Sequence, residues 1–265
     1  MSTYLFEHTW EEERRRLDLL QAVFDPGTRD SLGRLALPAG ARCLEVGAGA
    51  GSIARWLCDK VGAGGRVVAT DLDTGFLERL TEENLDVRRH DIVADELEEG
   101  HYDLVHARLV LEHIPARDRV LRRLVAALRP GGWLVVEDFD WSSVLTAPGS
   151  VAAALHTRVN EALATVFTAA GAAIDYGRRL PLDFRAAGLD AVGAEGRVHV
   201  PLGGSPAAQW WQLSLAKLRE PLLGTGRLTE AEVDEALGAC DDEGFCGFYP
   251  ILVTAWGQRP PPETA

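Results

Sequence analysis

Apolar residues along this chain fall into two kinds of run that alternate. Short, nearly continuous runs at residues 43–46, 66–71, 85–90, 101–106 and 133–138 end at glycine or at polar residues, as buried strands do. Between them, residues 53–61, 74–81 and 118–128 read as helices. In the last of these, Leu121, Leu124, Val125 and Leu128 share one face, and Arg129-Pro130-Gly131-Gly132 closes it. Five strand runs spaced by helices within about a hundred residues predict a parallel sheet with helices on both faces.

The two ends of the chain follow another pattern. Residues 10–24 read as an amphipathic helix capped by Thr9, with Leu17, Leu19, Leu20 and Val23 on its apolar side. Asp25-Pro26-Gly27 ends it, and a second short helix covers residues 29–36. Tyr4, Phe6 and Trp10 form an aromatic arm that either packs on the domain or folds over a ligand. From Pro148 an alanine-rich helical region runs to about residue 173, followed by a short helix at 182–188 and strands at 191–200 and 249–256. Residues 201–247 between those strands are too long for a hairpin; Thr229-Glu230-Ala231-Glu232 there has the spacing of a capping box. The organisation expected is an N-terminal helical arm at 1–40 and a doubly wound α/β domain at 41–265. Helical lid insertions interrupt that domain at about 145–180 and 201–247, and the tail after Arg259 is loose.

Composition narrows the class. A chain of 265 residues with 46% hydrophobic content buries one large core with insertions. Its 27 basic and 40 acidic residues leave a formal charge of −13, which argues against general affinity for nucleic acid or anionic membrane. Arginine supplies all the positive charge except Lys60 and Lys217, a bias expected of a GC-rich bacterial genome. Cys43, Cys58, Cys240 and Cys246 have no CxxC spacing, and no apolar run reaches the roughly 18 to 20 residues of a membrane span. A soluble, cytoplasmic protein with reduced thiols is expected; a homodimer is left open. No metal site is expected, since the histidines lack HxxxH spacing and form no facial set with acids.

The chemistry gathers where the first strand turns into a helix, at Leu44-Glu45-Val46-Gly47-Ala48-Gly49-Ala50-Gly51-Ser52. Glycines there allow positive φ and let a ligand approach the backbone, while the next helix directs unpaired amides at it. Twenty positions after Gly51, Asp71 ends the second strand. In a doubly wound sheet that carboxylate lies beside the loop and can accept both hydroxyls of a ribose. Asp71 or Asp73 can instead cap the following helix, and both readings hold together with Asp73 as the cap.

These residues, followed in order by Asp91-Ile92 and Leu128-Arg129-Pro130-Gly131-Gly132-Trp133-Leu134, resemble the class I S-adenosylmethionine-dependent methyltransferases, in their small-molecule branch. The resemblance runs from about Arg42 to Asp138 and implies a seven-stranded, mostly parallel, Rossmann-like sheet. It implies further that Gly47, Ala48 and Gly49 face the methionyl part of S-adenosyl-L-methionine. Asp71 would hold the ribose and Leu72 would pack on the adenine. Asp91 would accept from the adenine amino group while Ile92 covers the ring. His106 and Ala107 would border the methionyl end, and Glu45 either orders the loop or reaches the methionyl amine through water.

In related methyltransferases a Glu-His pair in the position of Glu112-His113 can border the reaction site; equally, one member can brace the helix beginning near Pro115. Asp138 and Asp140, after the fifth strand, can orient an amine or hydroxyl, or stand in a solvated loop. Arg108 can bind a substrate carboxylate or pair with Glu112 at i,i+4. His156 and Arg158 face either the pocket or water. Phe139, Trp141, Phe167, Trp210 and Trp211 either line a pocket for an apolar or aromatic acceptor or pack the lid onto the domain.

The activity expected is methyl transfer to an oxygen or nitrogen of a small, apolar or aromatic metabolite, with His113, Glu112 and Asp138 as the catalytic candidates. The absence of an Asn/Asp-Pro-Pro-Tyr-type motif at residues 107–110 argues against the amino-methylating DNA and protein-glutamine types. Two rivals remain. A nicotinamide oxidoreductase would prefer glycine where Ser52 stands, completing G-x-G-x-x-G. A non-methylating protein that binds the same cofactor, or uses its sulfonium as electrostatic support, would carry the same cofactor residues.

Overall fold

A computed structural model describes residues 10–261, so Tyr4, Phe6 and the cap at Thr9 lie outside the described residues. In chain order the elements are α1 (Trp10–Gly33), β1 (Arg42–Val46), α2 (Ser52–Val61), β2 (Arg66–Asp71), β3 (Leu85–Arg89), β4 (Tyr102–Arg108), α3 (Arg117–Ala127) and β5 (Leu128–Asp140). There follow β6 (Leu145–Thr146), α4 (Ala153–Ala169), α5 (Tyr176–Ala186), β7 (Asp190–Arg197), α6 (Pro206–Lys217), α7 (Arg219–Gly224), α8 (Glu230–Ala239), β8 (Gly247–Phe248) and β9 (Ile251–Gln258).

Seven strands form one sheet in the order β3-β2-β1-β4-β5-β9-β7. The first five are parallel, and β9 runs antiparallel to both of its neighbours. The chain winds outward from β1 to β3 and then returns to β4 on the other side. The C-terminal ends of β1 and β4 therefore flank the crevice where open α/β sheets take ligands.

Alternation along the central strands divides the interior. Cys43, Val67, Ala69, Leu104 and Val135 face α2, whose buried stripe is Ile53, Ala54, Leu57, Cys58 and Val61. Leu44, Val46, Val105, Ala107 and Val136 face the other way, toward Leu121 and Leu124 of α3 and Leu180 and Phe184 of α5. A third core joins Leu163 of α4, Leu215 of α6 and Val233 of α8 to Phe24 of α1 and Phe139 of β5. The expected capping box opens α8: Thr229 N–H donates to Glu232 Oε2 (2.8 Å), and Glu232 N–H donates back to Thr229 Oγ1 (3.3 Å).

Several sequence expectations are corrected. Pro26 does not end the first helix, which continues to Gly33. Proline removes only the bond to the Ala22 carbonyl, while beyond it the Thr28 hydroxyl donates to Glu137 (2.5 Å) and the Ser31 hydroxyl to Glu195 (2.6 Å), tying the helix to the sheet. Burial of Phe24, Thr28 and Leu32 then holds the second half of α1 against the domain, so α1 is no peripheral arm. Of the helix expected at 74–81, only a single turn at Leu77–Arg79 forms, because Leu80 is already extended. Arg129-Pro130-Gly131-Gly132 belongs to β5 and does not close α3, which stops at Ala127. A Cβ on Gly132 would lie 2.7 Å from the Tyr102 carbonyl oxygen, where the β4–β5 register shifts. The helical segment expected at 148–173 begins only at Ala153, and that at 182–188 begins earlier, at Tyr176. α5 packs on β5 and β9, so it belongs to the sheet's outer layer and not to the lid.

Polar residues interrupt the central strands at one layer. Glu45 and His106 are paired across β1 and β4, and Glu137, which stands opposite Arg108 on β5, reaches the same histidine with its side chain; all three are almost wholly buried. Glu45 Oε2 is 2.7 Å from His106 Nδ1, and Glu137 Oε2 is 3.4 Å from His106 Nε2. Glu137 also accepts from the hydroxyls of Thr28 on α1 (2.5 Å) and Thr254 on β9 (2.6 Å). Beside it, the Arg108 guanidinium donates to Asp25 (2.9 Å) and to Thr28 (2.8 Å) of α1.

With a carboxylate at each ring nitrogen, His106 is an imidazolium. Burial pushes its pKa down, but the charge of Glu45 and the hydrogen bond to Glu137 outweigh that and hold it at about 9. Burial likewise pushes Glu137 up, and the His106 hydrogen bond and charge, with Arg108, bring it down to about 2.

Two outcomes are expected. Phe24→Ala, which empties a site between the lid and β5, should cost about 3–5 kcal/mol in urea-unfolding stability. His106 should remain protonated at pH 8 by NMR of its ring nitrogens, titrating near 9 where an ordinary histidine titrates near 6.5. Since its folded pKa lies above the unfolded value, its contribution to stability is complete below pH 6.5 and is lost as pH rises through about 9.

Candidate functional site

The glycine loop follows β1 into the crevice between β1 and β4. Gly47 has φ 68°, and a Cβ there would lie 2.5 Å from Cγ2 of Val110, just beyond β4. At Gly51, with φ 82°, a Cβ would meet Leu80 at 2.4 Å. Gly49 turns its amide away from the helix and donates to Asp71 Oδ2 (2.8 Å). The loop and the tip of β2 are thereby tied together. Burial pushes the Asp71 carboxyl up from its ordinary range, against the Gly49 bond that favours the charged form.

Asp71 Oδ1 accepts from the Asp73 amide (3.2 Å), and Asp73 in turn accepts from Gly75 (2.9 Å) in a tight turn; it caps no helix, because the single turn at Leu77–Arg79 starts after Phe76 without a side-chain cap. Beyond Asp71, Leu72 is 51% exposed at the strand tip, an apolar side chain open to the crevice side of β2. After β3, Ile92 is buried, and Asp91 accepts from the Val93 amide (2.8 Å). Gly47, Ala48, Gly49, Asp71, Leu72, Asp91 and Ile92 thus follow the tips of β1, β2 and β3. Ala107 is wholly buried in β4, and the Glu45 and His106 side chains are spent on each other.

Arg108 does not pair with Glu112. Leu109 has a left-handed φ of 57° and only Leu111–His113 makes a helical turn, so the i,i+4 geometry never arises. The guanidinium goes instead to Asp25, which the uninterrupted α1 brings to it. Thr28, Glu137 and Thr254 were not singled out from the sequence as site residues. A signal existed for Glu137: like Glu45 and His106 it is a titratable residue inside an otherwise apolar strand.

The catalytic candidates do come together. Glu112 Oε2 accepts from the Phe139 amide (2.8 Å), and its Oε1 lies 3.2 Å from His113 Nε2. Asp138 Oδ1 accepts from the Val110 amide (3.0 Å), while its Oδ2 is buried without a partner. Burial pushes Glu112 up to about 8 and Asp138 well above the carboxylate range, so both are held protonated near neutrality. Desolvation and the positive charges of Arg16 and Arg117 push His113 the other way, below its ordinary value, so it is neutral near pH 7. Its side chain is 32% exposed, against 2% for Glu112. Of the three, His113 is the one an incoming molecule can touch, and the two carboxyls lie behind it.

Aromatic rings adjoin it. Phe167 lies 6.2 Å from His113 and 4.9 Å from Trp141, measured between ring centroids. Trp141 is half-buried and stacks on Trp211 at 6.0 Å. Phe139 and Trp210, proposed from the sequence as substrate contacts, are 1% and 4% exposed and pack with Phe24 in the lid core. His156 faces neither water nor this cleft: it is 2% exposed, packs on Phe245 at 4.8 Å, and borders a separate cavity of about 10 Å³, room for one water. Arg158 pairs with Glu232 (2.6 Å) at the surface, and Asp140 is held by Arg178 (2.7 Å). Among the described residues, no group of three or more His, Cys, Asp or Glu is placed to hold a metal ion, and no helix is long and apolar enough to cross a membrane.

Residues 44–134, from β1 into β5, match the family described as a methyltransferase domain. The chain is 32% identical over 146 residues to Methyltransferase str2 of Strobilurus tenacellus, covering 52% of each chain. It is 30% identical over 124 residues to the ubiquinone/menaquinone biosynthesis C-methyltransferase UbiE of Bordetella parapertussis, covering 44% of this chain and 48% of that one. The chain spans about half the length of the curated relatives it matches. The crystal structure of a SAM-dependent methyltransferase from Aquifex aeolicus superposes over 95% of this chain and 100% of its own, with a TM-score of 0.52 at 14% identity, a likeness of fold. The segment from residue 44 to 134 is thus similar to methyltransferase domains, and the seven-stranded sheet built on it has the Rossmann-like fold of the S-adenosylmethionine-dependent methyltransferases of known structure.

Proposed function

We propose that this protein transfers a methyl group from S-adenosylmethionine to an oxygen or nitrogen of a small, apolar or aromatic metabolite. The observation that carries the reading is the row of groups along one edge of the sheet. A glycine loop tied to Asp71 and an exposed Leu72 stand on one side of the β1–β4 crevice. A reachable histidine backed by a buried glutamic acid stands on the other.

The residues present fit the cofactor. The Gly47 backbone is exposed and its Val110 neighbour leaves no room for a Cβ, as a loop against a methionyl group requires. Asp71 is the acceptor for the ribose hydroxyls. Leu72 and Ile92 offer apolar surface to the adenine, and Asp91 an acceptor to its amino group. Bound there, S-adenosylmethionine supplies a methyl already activated on a sulfonium, so the chain's task is to align a nucleophile and exclude water.

His113 is placed, by its exposure at the end of β4, for the one proton transfer an oxygen or nitrogen acceptor asks for. Neutral at physiological pH, it can take the proton of an acceptor hydroxyl or amine, while Glu112 holds the ring from behind. Glu112 and Asp138, kept protonated, add no negative charge behind the cleft. The half-buried Trp141, backed by the buried Phe167, gives it an apolar wall, which supports an apolar or aromatic acceptor. The likeness to a C-methyltransferase favours a second reading, transfer to an activated carbon.

Methyl-labelled S-adenosylmethionine with phenol, amine and carbon-acid acceptors tests both readings. Label in the phenol or amine is expected; label in the carbon acid alone selects the second reading, and binding without transfer to any of them overturns both. Asp71→Ala should raise the cofactor Kd at least about tenfold, the loss of a charge-assisted hydrogen bond worth ~1.5–3 kcal/mol, with circular dichroism unchanged. His113→Ala should lower kcat about 100-fold, within the usual range for general-base removal, while calorimetry gives an unaltered cofactor Kd.

A further inference from the structure

The buried charges and the glycine loop meet at α1. Near its N-terminus this helix lies on the loop: Leu17 Cδ2 is 3.6 Å from where a Cβ on Gly49 would stand, and the Arg14 guanidinium is 5.8 Å from the Phe76 ring beyond β2. Its C-terminal half is fixed to the other side of the sheet. Asp25 pairs with Arg108 (2.9 Å), Thr28 donates to Glu137 (2.5 Å), and Ser31 donates to Glu195 of β7 (2.6 Å). A continuous helix transmits position along its length, about 1.5 Å per residue, so anchors at 25–31 set where Leu17 rests.

We propose that α1 is a strap over the cofactor loop, latched by the chain Thr28–Glu137–His106–Glu45, with Thr28 and His106 as positioning residues for cofactor binding. This rests on the reading that the glycine loop binds S-adenosylmethionine. One imidazole references both surfaces of the site. Through Glu45, two residues before Gly47, it sets the floor of the loop, and through Glu137 and Thr28 it sets the cover. No substitution of the loop itself is needed to loosen it.

Glu137 allows a matched comparison, because two threonines from different elements donate to its two oxygens. Thr28 on α1 bonds Oε2 and Thr254 on β9 bonds Oε1. Thr28→Val and Thr254→Val each delete one hydroxyl from the same buried carboxylate; only the first touches the strap, where it also removes the acceptor of Arg108 (2.8 Å). Titration calorimetry with S-adenosylhomocysteine should give a Kd raised about tenfold for Thr28→Val, equal to the loss of ~1.4 kcal/mol, and within about twofold of wild type for Thr254→Val. Without ligand, the amides of residues 14–24 should exchange hydrogen faster in Thr28→Val than in Thr254→Val. His106→Gln should weaken binding at least as much as Thr28→Val; should it fail to fold, the threonine pair decides.

Equal affinities and equal exchange in the two threonine variants would overturn the strap. A wild-type protein that binds no S-adenosylhomocysteine would overturn the cofactor reading instead, while the exchange comparison would still decide whether α1 is latched through Thr28.

Discussion

An imidazolium held between two buried carboxylates is the constraint on which this architecture turns. Removing such charges from water costs several kcal/mol per ion, so the cluster is tolerable only when every partner is in place. Here Glu45 occupies one ring nitrogen, Glu137 faces the other, and two threonine hydroxyls complete Glu137. The partners come from β1, β4, β5, β9 and α1, so satisfying one cluster aligns four strands and the first helix. Breaking such a set by removing one member typically costs about 3–5 kcal/mol, because the partners left behind are buried charges without compensation.

A second set of buried ionisable groups, at the ends of β4 and β5, obeys the opposite logic. Glu112 and Asp138 have no cation against them, so burial protonates them, and His113 is driven neutral by desolvation with Arg16 and Arg117 nearby. Two histidines seven positions apart thus carry opposite charge states in one fold. His106 is clamped and charged, which suits a structural tie. His113 is partly exposed and basic only at its free nitrogen lone pair, which suits contact with an acceptor.

Periodicity made the sheet legible because strands buried on both faces leave apolar runs that little else imitates. The glycine loop and Asp71 were legible for a related reason: the geometry that needs them is local, within one βαβ unit. Pro26 was misread because a proline is punctuation only where nothing else holds the helix, and Thr28, Ser31 and Leu32 hold this one from outside. Arg108 was misread because i,i+4 pairing presumes a helix that Leu109 denies. The aromatic residues 139 and 210 carried no mark of whether they would line a cleft or fill a core, since both uses need the same side chain.

The amino-acid sequence by itself determined the order of the seven sheet strands with α2 and α3 between them, the glycine loop with Asp71 following it, and the position of the Glu112-His113 pair after β4. Each depends on neighbours within a few turns of chain. Only the tertiary structure decided that α1 crosses the sheet and lies on the glycine loop, that Trp210 and His156 belong to the lid's interior, and that His106 is ionised while His113 is not. Those outcomes depend on which charges and rings arrive from more than a hundred residues away, as Thr254 does at Glu137, and burial then decides which of them can stay charged.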